Sequence, residues 1–308
     1  MNIGIVTVRG SDYHPNRRLR KAASEQGHRI TLIHPYRNWP GIMGNEPGVV
    51  RQVEISPLDV VLPRQGATVG DSCLALIHHF SLMGIPVIND LNSIRLARNQ
   101  FHTLQALAEA RIPVPDTLFV NSQKGLQEAV EQLKGYPVVV KQVSGRQGKG
   151  VILVETKHHL ESAAHEHLDK RKGLLVQRFI PPIGRQDVRV LIVGGKIAGA
   201  MELRPEEGDF RANYHLNKES RPRNLSPELK EIALKATAAV GLEIAGVDLI
   251  VDKNDRAGII EVNYSPGFKG MEAATGLDIA AEIVEYVVST DKKKQDIRRK
   301  NVKEYANI

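Results

Sequence analysis

The 308-residue sequence lacks the residues that several kinds of protein depend on. Its single cysteine, Cys73, can form neither an intrachain disulfide nor a multi-thiolate zinc centre, so we predict a small buried residue in a reducing compartment. No run approaches the ~20 apolar residues that cross a bilayer. The first strand-like run, Ile3–Val8, is too short for a signal peptide and lacks a cationic start. We therefore expect a cytoplasmic protein with no membrane partner.

Familiar catalytic signatures are missing too. No Gly-x-Gly-x-x-Gly follows the first strand, and neither His-Glu-x-x-His nor Gly-x-Ser-x-Gly occurs. Dinucleotide binding, zinc chemistry and nucleophilic serine or cysteine catalysis are therefore unsupported. The eleven histidines lack metal-ligand partners at useful spacing, and we expect them to be surface or core residues.

The net charge of +7 is concentrated at the C-terminus. Residues 291–308 contribute +4 of it through seven basic and three acidic residues. We interpret this basic tail as a solvated, disordered terminus, so direct nucleic-acid binding is not expected. The alternative is an RNA- or ribosome-associated module that acts through the tail.

Strand and helix signals divide the chain into three units and the tail. Residues 1–92 alternate strands and helices as a parallel sheet requires, whereas 93–180 and 181–290 mix them as α+β units. A strand is predicted at Pro86–Ile88, and one helix at Ser93–Ala110. The apolar and charged fractions, 42% and 25%, are ordinary for globular proteins.

A glycine-rich segment follows a strand that ends in Lys141. Gly145, Gly148 and Gly150 let the backbone approach a ligand and present N–H groups to phosphate oxygens. Taken alone, the segment would be a mobile hairpin turn. Lys141 favours phosphate binding, because a lysine ending an apolar strand is a suitable point charge for a nucleotide.

Oxygen-bearing side chains accumulate on two later strands. Glu261 and Asn263 are two residues apart, so a strand would place them on one face, about 6–7 Å from each other. Asp248 on a neighbouring strand could join them. Such hard ligands suit magnesium, and the alternative is three unrelated polar residues at strand ends.

Basic residues lie between these two sites. Arg189, Arg204 and Arg211 could bind carboxylate or acyl phosphate, with Asn213 in the same loop as Arg211. A solvated charged surface is the alternative for any single arginine.

Taken in order, these motifs resemble the ATP-grasp superfamily and, more narrowly, the RimK-type α-L-glutamate ligases. The resemblance covers about residues 1–290. The motifs that carry it are Val140-Lys141, Gly145–Gly150, Val176–Ile180, Asp187–Arg189, Glu207–Asn213, Ala245–Asp248 and Glu261–Gly267.

The resemblance implies an ATP-grasp fold of α/β and α+β type. A pre-ATP-grasp domain (1–92) with a parallel sheet would precede a central domain (93–180) and a C-terminal domain (181–290) that clasp ATP. Asp248, Glu261 and Asn263 would bind Mg²⁺, with Mn²⁺ as the alternative ion. The residues implied to bind the nucleotide are Lys141, Gly145, Gln147, Gly148, Gly150, Gln177, Arg178, Phe179, Ile180, Asp187, Arg211 and Asn213. Those implied to assist the phosphoryl and acyl groups are Arg189, Arg204, Arg211 and Asn213.

The implied reaction joins a carboxylate to an amine through an acyl phosphate, with ATP as the energy source. Phosphoryl transfer of this kind depends on positioning and charge neutralisation, so the missing nucleophile is expected. The amino acid is expected to be glutamate, and the acceptor a peptide, protein or small acid, with a ribosomal protein as one option. A homo-oligomer is compatible with the resemblance.

Three stretches depart from the family pattern. Gln100 stands where a phosphate-binding lysine is usual, and Arg178 replaces a usual glutamate. Leu216-Asn217-Lys218 occupies a stretch that is often glycine-rich. A nucleotide-binding regulator that no longer catalyses therefore remains an alternative to the ligase.

Overall fold

A computed structural model describes residues 1–51, 57–66, 69–146, 149–203, 220–252 and 256–290. These residues form three sheets of three, four and five strands, together with a separate two-stranded hairpin. None of the helices in these ranges is both long enough and apolar enough to span a membrane.

The N-terminal sheet is parallel, with its first strand at the centre. Both neighbours of that strand run parallel to it, and all five of its residues are buried. This confirms the predicted parallel sheet. The elements are β1 (Asn2–Val6), α1 (His14–Glu25), β2 (Arg29–Ile33), β5 (Val60–Pro63) and α2 (Asp71–Leu82), with sheet order β2-β1-β5.

An unpredicted hairpin lies between β2 and β5. Its strands are β3 (Asn38–Met43) and β4 (Glu46–Arg51), paired antiparallel. Gly44 and Asn45, at the turn, both have positive φ, +57° and +70°. That backbone matches the twist of a tight two-residue hairpin.

The single helix predicted over Ser93–Ala110 is wrong. The structure has α3 (Leu91–Ala97) and α4 (Gln100–Glu109), separated at Asn99. The Asn99 side chain accepts hydrogen bonds from the amides of Phe101 and His102, which ends one helix and caps the next.

The strand predicted at Pro86–Ile88 is also wrong. This segment makes one isolated bridge, between Val87 and Val61.

The central sheet is antiparallel and carries its helices over its own core. Ser122 caps α5 as predicted, by accepting from the amide of Gly125. The elements are β6 (Thr117–Val120), α5 (Gln123–Gln132), β7 (Val138–Arg146), β8 (Lys149–Val154), α6 (Lys157–His167) and β9 (Leu174–Arg178), with order β6-β9-β7-β8.

The C-terminal sheet is antiparallel and has five strands. Its main helix begins after the Ser226 cap with Pro227 and ends at Gly241 (φ +73°), as predicted. The elements are β10 (Gln186–Val193), β11 (Lys196–Leu203), β12 (Ser220–Pro222), α7 (Pro227–Val240), β13 (Ile244–Val251), β14 (Ala257–Asn263), α8 (Lys269–Thr275) and α9 (279–290), with order β12-β11-β10-β13-β14.

The apolar cores do not follow the sheets one to one. One core joins Phe80 of α2 to Val190 and Val247 of the C-terminal sheet. A second joins Ile5 of β1 to Ile283 of α9. The third consists of β7, β8, β9 and the two helices of the central sheet. The N-terminal and C-terminal sheets therefore share their cores, whereas the central sheet has its own.

Asn89 joins the two sheets that share cores. Its side-chain nitrogen donates to the carbonyls of Ile244 (2.8 Å) and Tyr264 (2.9 Å). Its oxygen accepts from the amides of Glu243 (2.7 Å) and Ile244 (2.8 Å). The residue is 3% exposed, so one buried amide satisfies four backbone groups.

Candidate active site

A row of charged side chains crosses three neighbouring strands of the C-terminal sheet. Arg189 on β10 pairs in register with Asp248 on β13, which pairs in turn with Glu261 on β14. Arg189 donates through Nε to Asp248 Oδ1 and through Nη2 to Oδ2, both at 2.6 Å. This bidentate geometry holds the carboxylate in one orientation.

Asn263 lies on the same face as this row. Its Nδ2 is 3.4 Å from Asp248 Oδ2, and it pairs in register with Gly246. A Cβ at Gly246 would lie 2.8 Å from Cβ of Pro266, so glycine lets the loop after β14 fold over the start of β13. The structure thus brings together Asp248, Glu261 and Asn263, as period-two spacing predicts.

Lys141 enters the same region from the central sheet. It is 8% exposed, and its Nζ donates to Gln177 Oε1 at 2.6 Å. Gln177 donates in turn through Nε2 to Thr117 Oγ1 at 2.8 Å. Burial lowers the pKa of Lys141 to about 8, and the nearby negative charge of Glu261 opposes the shift. Lys141 and Glu261 therefore interact across the two sheets.

The environment of Glu261 favours an additional positive charge. Burial, together with the nearby carboxylate of Asp248, raises the pKa of Glu261 to about 7. Arg189 and Lys141 oppose this shift but do not cancel it. Two carboxylates held close together with incomplete neutralisation are a chemically suitable place for a hard cation.

The side chains in this row fit a Mg²⁺ ion if two carboxylates and one amide oxygen bind it. Among the residues that the structure describes, no three or more His, Cys, Asp or Glu side chains are grouped to hold a metal. A centre here would combine Asp248 and Glu261 with the amide oxygen of Asn263. Asp248 already accepts from Arg189 at both oxygens, but a carboxylate has about four acceptor positions, so room for a cation remains.

Hydrogen bonds from Arg185, which belongs to none of the motifs described above, hold the segment after β9 in place. Arg185 donates through Nη1 to the carbonyl of Ile180 and through Nε to Asp187 Oδ2 at 3.0 Å. Burial raises the pKa of Asp187, and Arg185 opposes the shift. The signal in the sequence is the close spacing of Arg185, just before β10, and Asp187, its second residue, which lets opposite charges meet.

The side chain of Arg178 is directed to the residue that precedes the neighbouring strand β6. It forms an ion pair with Asp116, and its backbone amide donates to the Asp116 carbonyl at 2.9 Å. Phe179 and Ile180, which follow it, are partly buried.

The glycine-rich segment connects β7 to β8. Gly145 lies in β7, and Gly150 lies in β8 with φ +78°. Gln147 and Gly148 lie outside the described residues.

Several predicted site residues fall in a stretch that the structure does not describe. Arg204, Arg211 and Asn213 lie outside the described residues, as do Leu216, Asn217 and Lys218. Gln100 is described, and it is the first residue of α4.

Comparison with solved structures shows the class to which this architecture belongs. The crystal structure of the RimK domain protein ATP-grasp from Sphaerobacter thermophilus DSM 20745 superposes with a TM-score of 0.74 at 23% identity, covering 93% of this chain and 99% of that one. The protein therefore has the ATP-grasp fold.

Family models then identify the family. The RimK PreATP-grasp domain matches residues 1–94, and the RimK-like ATP-grasp domain matches residues 97–287. The chain belongs to the RimK-like ATP-grasp family and is an ATP-dependent ligase.

Relatives across the whole chain agree with this assignment. "Probable alpha-L-glutamate ligase" of Chromohalobacter salexigens is 36% identical over 288 residues, and the protein of the same name from Thioalkalivibrio sulfidiphilus is 34% identical over 288 residues. Each alignment covers 93% of this chain and 95% of the relative.

Two further ATP-grasp structures contain bound peptides or nucleotides. The ligase PsnB, complexed with minimal precursor, Mg and ADP, has a TM-score of 0.70 at 18% identity, covering 94% of this chain and 97% of that one. The macrocyclase MdnC from Microcystis aeruginosa MRC, bound with precursor peptide MdnA, has a TM-score of 0.72 at 18% identity, covering 94% and 100%.

Proposed function

We propose that the protein is an ATP- and magnesium-dependent carboxylate–amine ligase that adds L-glutamate to the C-terminal carboxylate of a peptide or protein. The supporting observation is the electrostatic influence between Lys141, on the central sheet, and Glu261, which ends the Arg189–Asp248–Glu261 row on the C-terminal sheet. The names of the relatives support glutamate, and the peptide complexes of PsnB and MdnC support a peptide acceptor.

The residues support activation of the acceptor as an acyl phosphate. The acceptor carboxylate would attack the γ-phosphate of ATP, and the amine of glutamate would then displace phosphate to form the amide. Lys141 would bind phosphate, while Arg189 would hold Asp248 in position. Asp248, Glu261 and Asn263 would hold Mg²⁺, or Mn²⁺ as the alternative, which would neutralise phosphate charge. Arg204, Arg211 and Asn213 are proposed to assist the phosphoryl and acyl groups.

Nucleotide binding would use the facing surfaces of the two proposed domains, 93–180 and 181–290. The backbone of Arg178–Ile180 would receive adenine, with Asp187 beside the nucleoside and the Gly145–Gly150 segment over the phosphates. Gln177 supports Lys141 in this arrangement, because it accepts from the ammonium and is itself held by Thr117.

The decisive experiment is amino-acid-dependent ADP release with mass spectrometry of candidate acceptors. We expect glutamate to stimulate release and one acceptor to gain a glutamyl residue. Peptides with free and amidated C-termini, ribosomal proteins and small acids form the acceptor arms. Lys141→Gln should abolish turnover. The control is Lys124→Gln, which changes an exposed lysine on α5, the helix that packs on the central sheet, and should leave turnover unchanged. If no amino acid stimulates the release of ADP, the proposal is refuted.

Two observations favour a second candidate, a nucleotide-binding regulator. Gln100 starts α4 without a positive charge, and the Arg178 side chain is occupied by Asp116. This candidate predicts ATP binding in calorimetry without amide formation, and Gln100→Lys should then produce turnover. Amide formation by the wild-type protein would eliminate it.

A further inference from the structure

Arg64 is a buried cation that the proposed function does not use. The residue is 9% exposed, and its Nη2 donates to the carbonyl of Pro266 at 2.5 Å. The guanidinium carbon lies 5.7 Å from the centre of the Phe268 ring. Its Nε is buried and has no hydrogen-bond partner in the described part of the chain, where no carboxylate forms an ion pair with it.

Leaving a buried arginine without an anion is costly. Desolvation lowers the pKa of Arg64 to about 10, and the electrostatic influence of Tyr13 opposes this shift. Buried charges are ordinarily paired, and removing a counter-charge is strongly unfavourable. A neutral side chain could fill the same volume without this cost. The cation is therefore explained better by a bound anion than by packing.

The position of Arg64 is one at which parallel sheets bind ligands. The chain runs from β1 through α1 to β2 on one side, then returns to pair β5 with the other side of β1. The connectivity thus reverses between β1 and β5. Arg64 follows β5 directly, and its amide donates to the carbonyl of Val6, the last residue of β1, at 2.9 Å. Ligands of open parallel sheets bind at such switch points.

A second unpartnered polar atom lies beside the same aromatic ring. The ring of His14 contacts that of Phe268 edge-on, with centroids 5.8 Å apart. Its Nε2 faces Glu272 Oε2 at 3.4 Å, whereas its Nδ1 is buried and also lacks a hydrogen-bond partner among the described residues. Arg64 and His14 therefore present two unsatisfied nitrogen atoms around Phe268.

This cluster lies next to the proposed reaction centre. Pro266, which accepts from Arg64, is three residues after Asn263, so the chain between them spans at most about 10 Å. Pro266 also covers Gly246 near the start of β13. A substrate bound near Asn263 could reach Arg64.

We propose that Arg64, with His14 as a second polar contact, binds one of the carboxylates of the amino-acid substrate, neither of which reacts when its amine forms the amide. This inference rests on the proposed function. A guanidinium fork matches a carboxylate, and a carboxylate that stays ionised throughout the reaction gains from a permanent cation. The reacting carboxylate of the acceptor would lose nucleophilicity from the same contact, so the amino acid is the favoured source.

The test measures glutamate binding to the full-length protein saturated with Mg²⁺ and a non-hydrolysable ATP analogue. In calorimetry, Arg64→Gln should weaken glutamate binding by about 10- to 100-fold, the range expected for hydrogen bonds to a charged group. Arg64→Lys should recover part of the loss, and the affinity for the ATP analogue should not change. The control is Arg29→Gln, an exposed change at the opposite end of the same sheet, which should leave glutamate affinity unaltered.

Substrate analogues identify the carboxylate without relying on a variant's stability. Glutamine lacks the side-chain carboxylate, and the α-carboxamide of glutamate lacks the α-carboxylate. The wild-type protein should bind more weakly whichever analogue lacks the carboxylate that Arg64 holds. In Arg64→Lys the difference in affinity between the two analogues should be smaller. A shift in the KM of the acceptor alone, or equal binding of all analogues, would overturn the inference. If the wild-type protein forms no amide, the proposed function is refuted. The affinity for glutamate, measured on the wild type and the Arg64 variants, would still test the role of Arg64.

Discussion

Replacing Arg189 by methionine tests whether the charged row on the C-terminal sheet is built around a cation. The side chains of Arg189 and Asp248 are 15% and 18% exposed, and two 2.6 Å hydrogen bonds join them. Removing one partner of a buried pair costs about 3–5 kcal/mol. The remaining exposure reduces this to about 2–4 kcal/mol, or about 4–8 °C in Tm for a chain of this size.

The informative quantity is how far magnesium restores the lost stability. Without Arg189, Lys141 is the one basic residue in the described part of the chain that still offsets the charge of Glu261 and Asp248. Mg²⁺ should then raise the Tm of Arg189→Met by several degrees more than that of the wild type, and EDTA should remove the difference. The assay is thermal unfolding with and without the ion, in the absence of nucleotide.

A double-mutant cycle supplies the control. Asp248→Asn should destabilise the protein, and combining it with Arg189→Met should cost about 2 kcal/mol less than the sum of the single changes. The magnesium effect should vanish in the double variant. Identical magnesium shifts in wild type and Arg189→Met would refute the argument that these carboxylates form a cation site.

Three further predictions concern other buried groups. Lys141→Gln should weaken ADP binding by about 10- to 100-fold in calorimetry without unfolding the protein, and an unchanged Kd would contradict its proposed contact with phosphate. Asn89→Ala should lower the free energy of unfolding in urea by about 2–4 kcal/mol, because four backbone groups lose their partner; a loss below 1 kcal/mol would contradict this. Burial raises the pKa of Cys73 to about 12, so alkylation at pH 8 should be about 1000-fold slower than in the unfolded chain, and comparable rates would contradict the burial. The unfolded chain loses the thiol proton near pH 9, whereas the folded protein keeps it up to about pH 12. The contribution of Cys73 to the free energy of unfolding should therefore fall as pH rises from about 9 to 12.

The parts of the fold that follow from local rules could be predicted from the sequence. Ser226, Pro227 and Gly241 specify the ends of α7 through capping and backbone preference. Period-two spacing placed Glu261 and Asn263 on one face, and the register with β13 added Asp248. These predictions succeed because each needs only neighbouring residues or one pair of adjacent strands.

The remainder depends on contacts between distant parts of the chain. Asn99 divides a predicted helix because its side chain competes for backbone amides, which apolar periodicity does not register. The burial of Arg64 could not be predicted, since Pro266 and Phe268 lie about 200 residues away in sequence. The bidentate contact of Arg189 with Asp248 likewise joins strands that are far apart in sequence, because β11, β12 and α7 lie between β10 and β13.

The distribution of apolar cores determines which segments of this chain could be exchanged or expressed separately. The four-stranded sheet with α5 and α6 encloses its own core, so a segment from about β6 to β9 is a suitable cassette for exchange between homologues. Residues 1–92 are a poor candidate for expression alone. Excision would expose Ile5 and Phe80, which pack against partners in the last third of the chain.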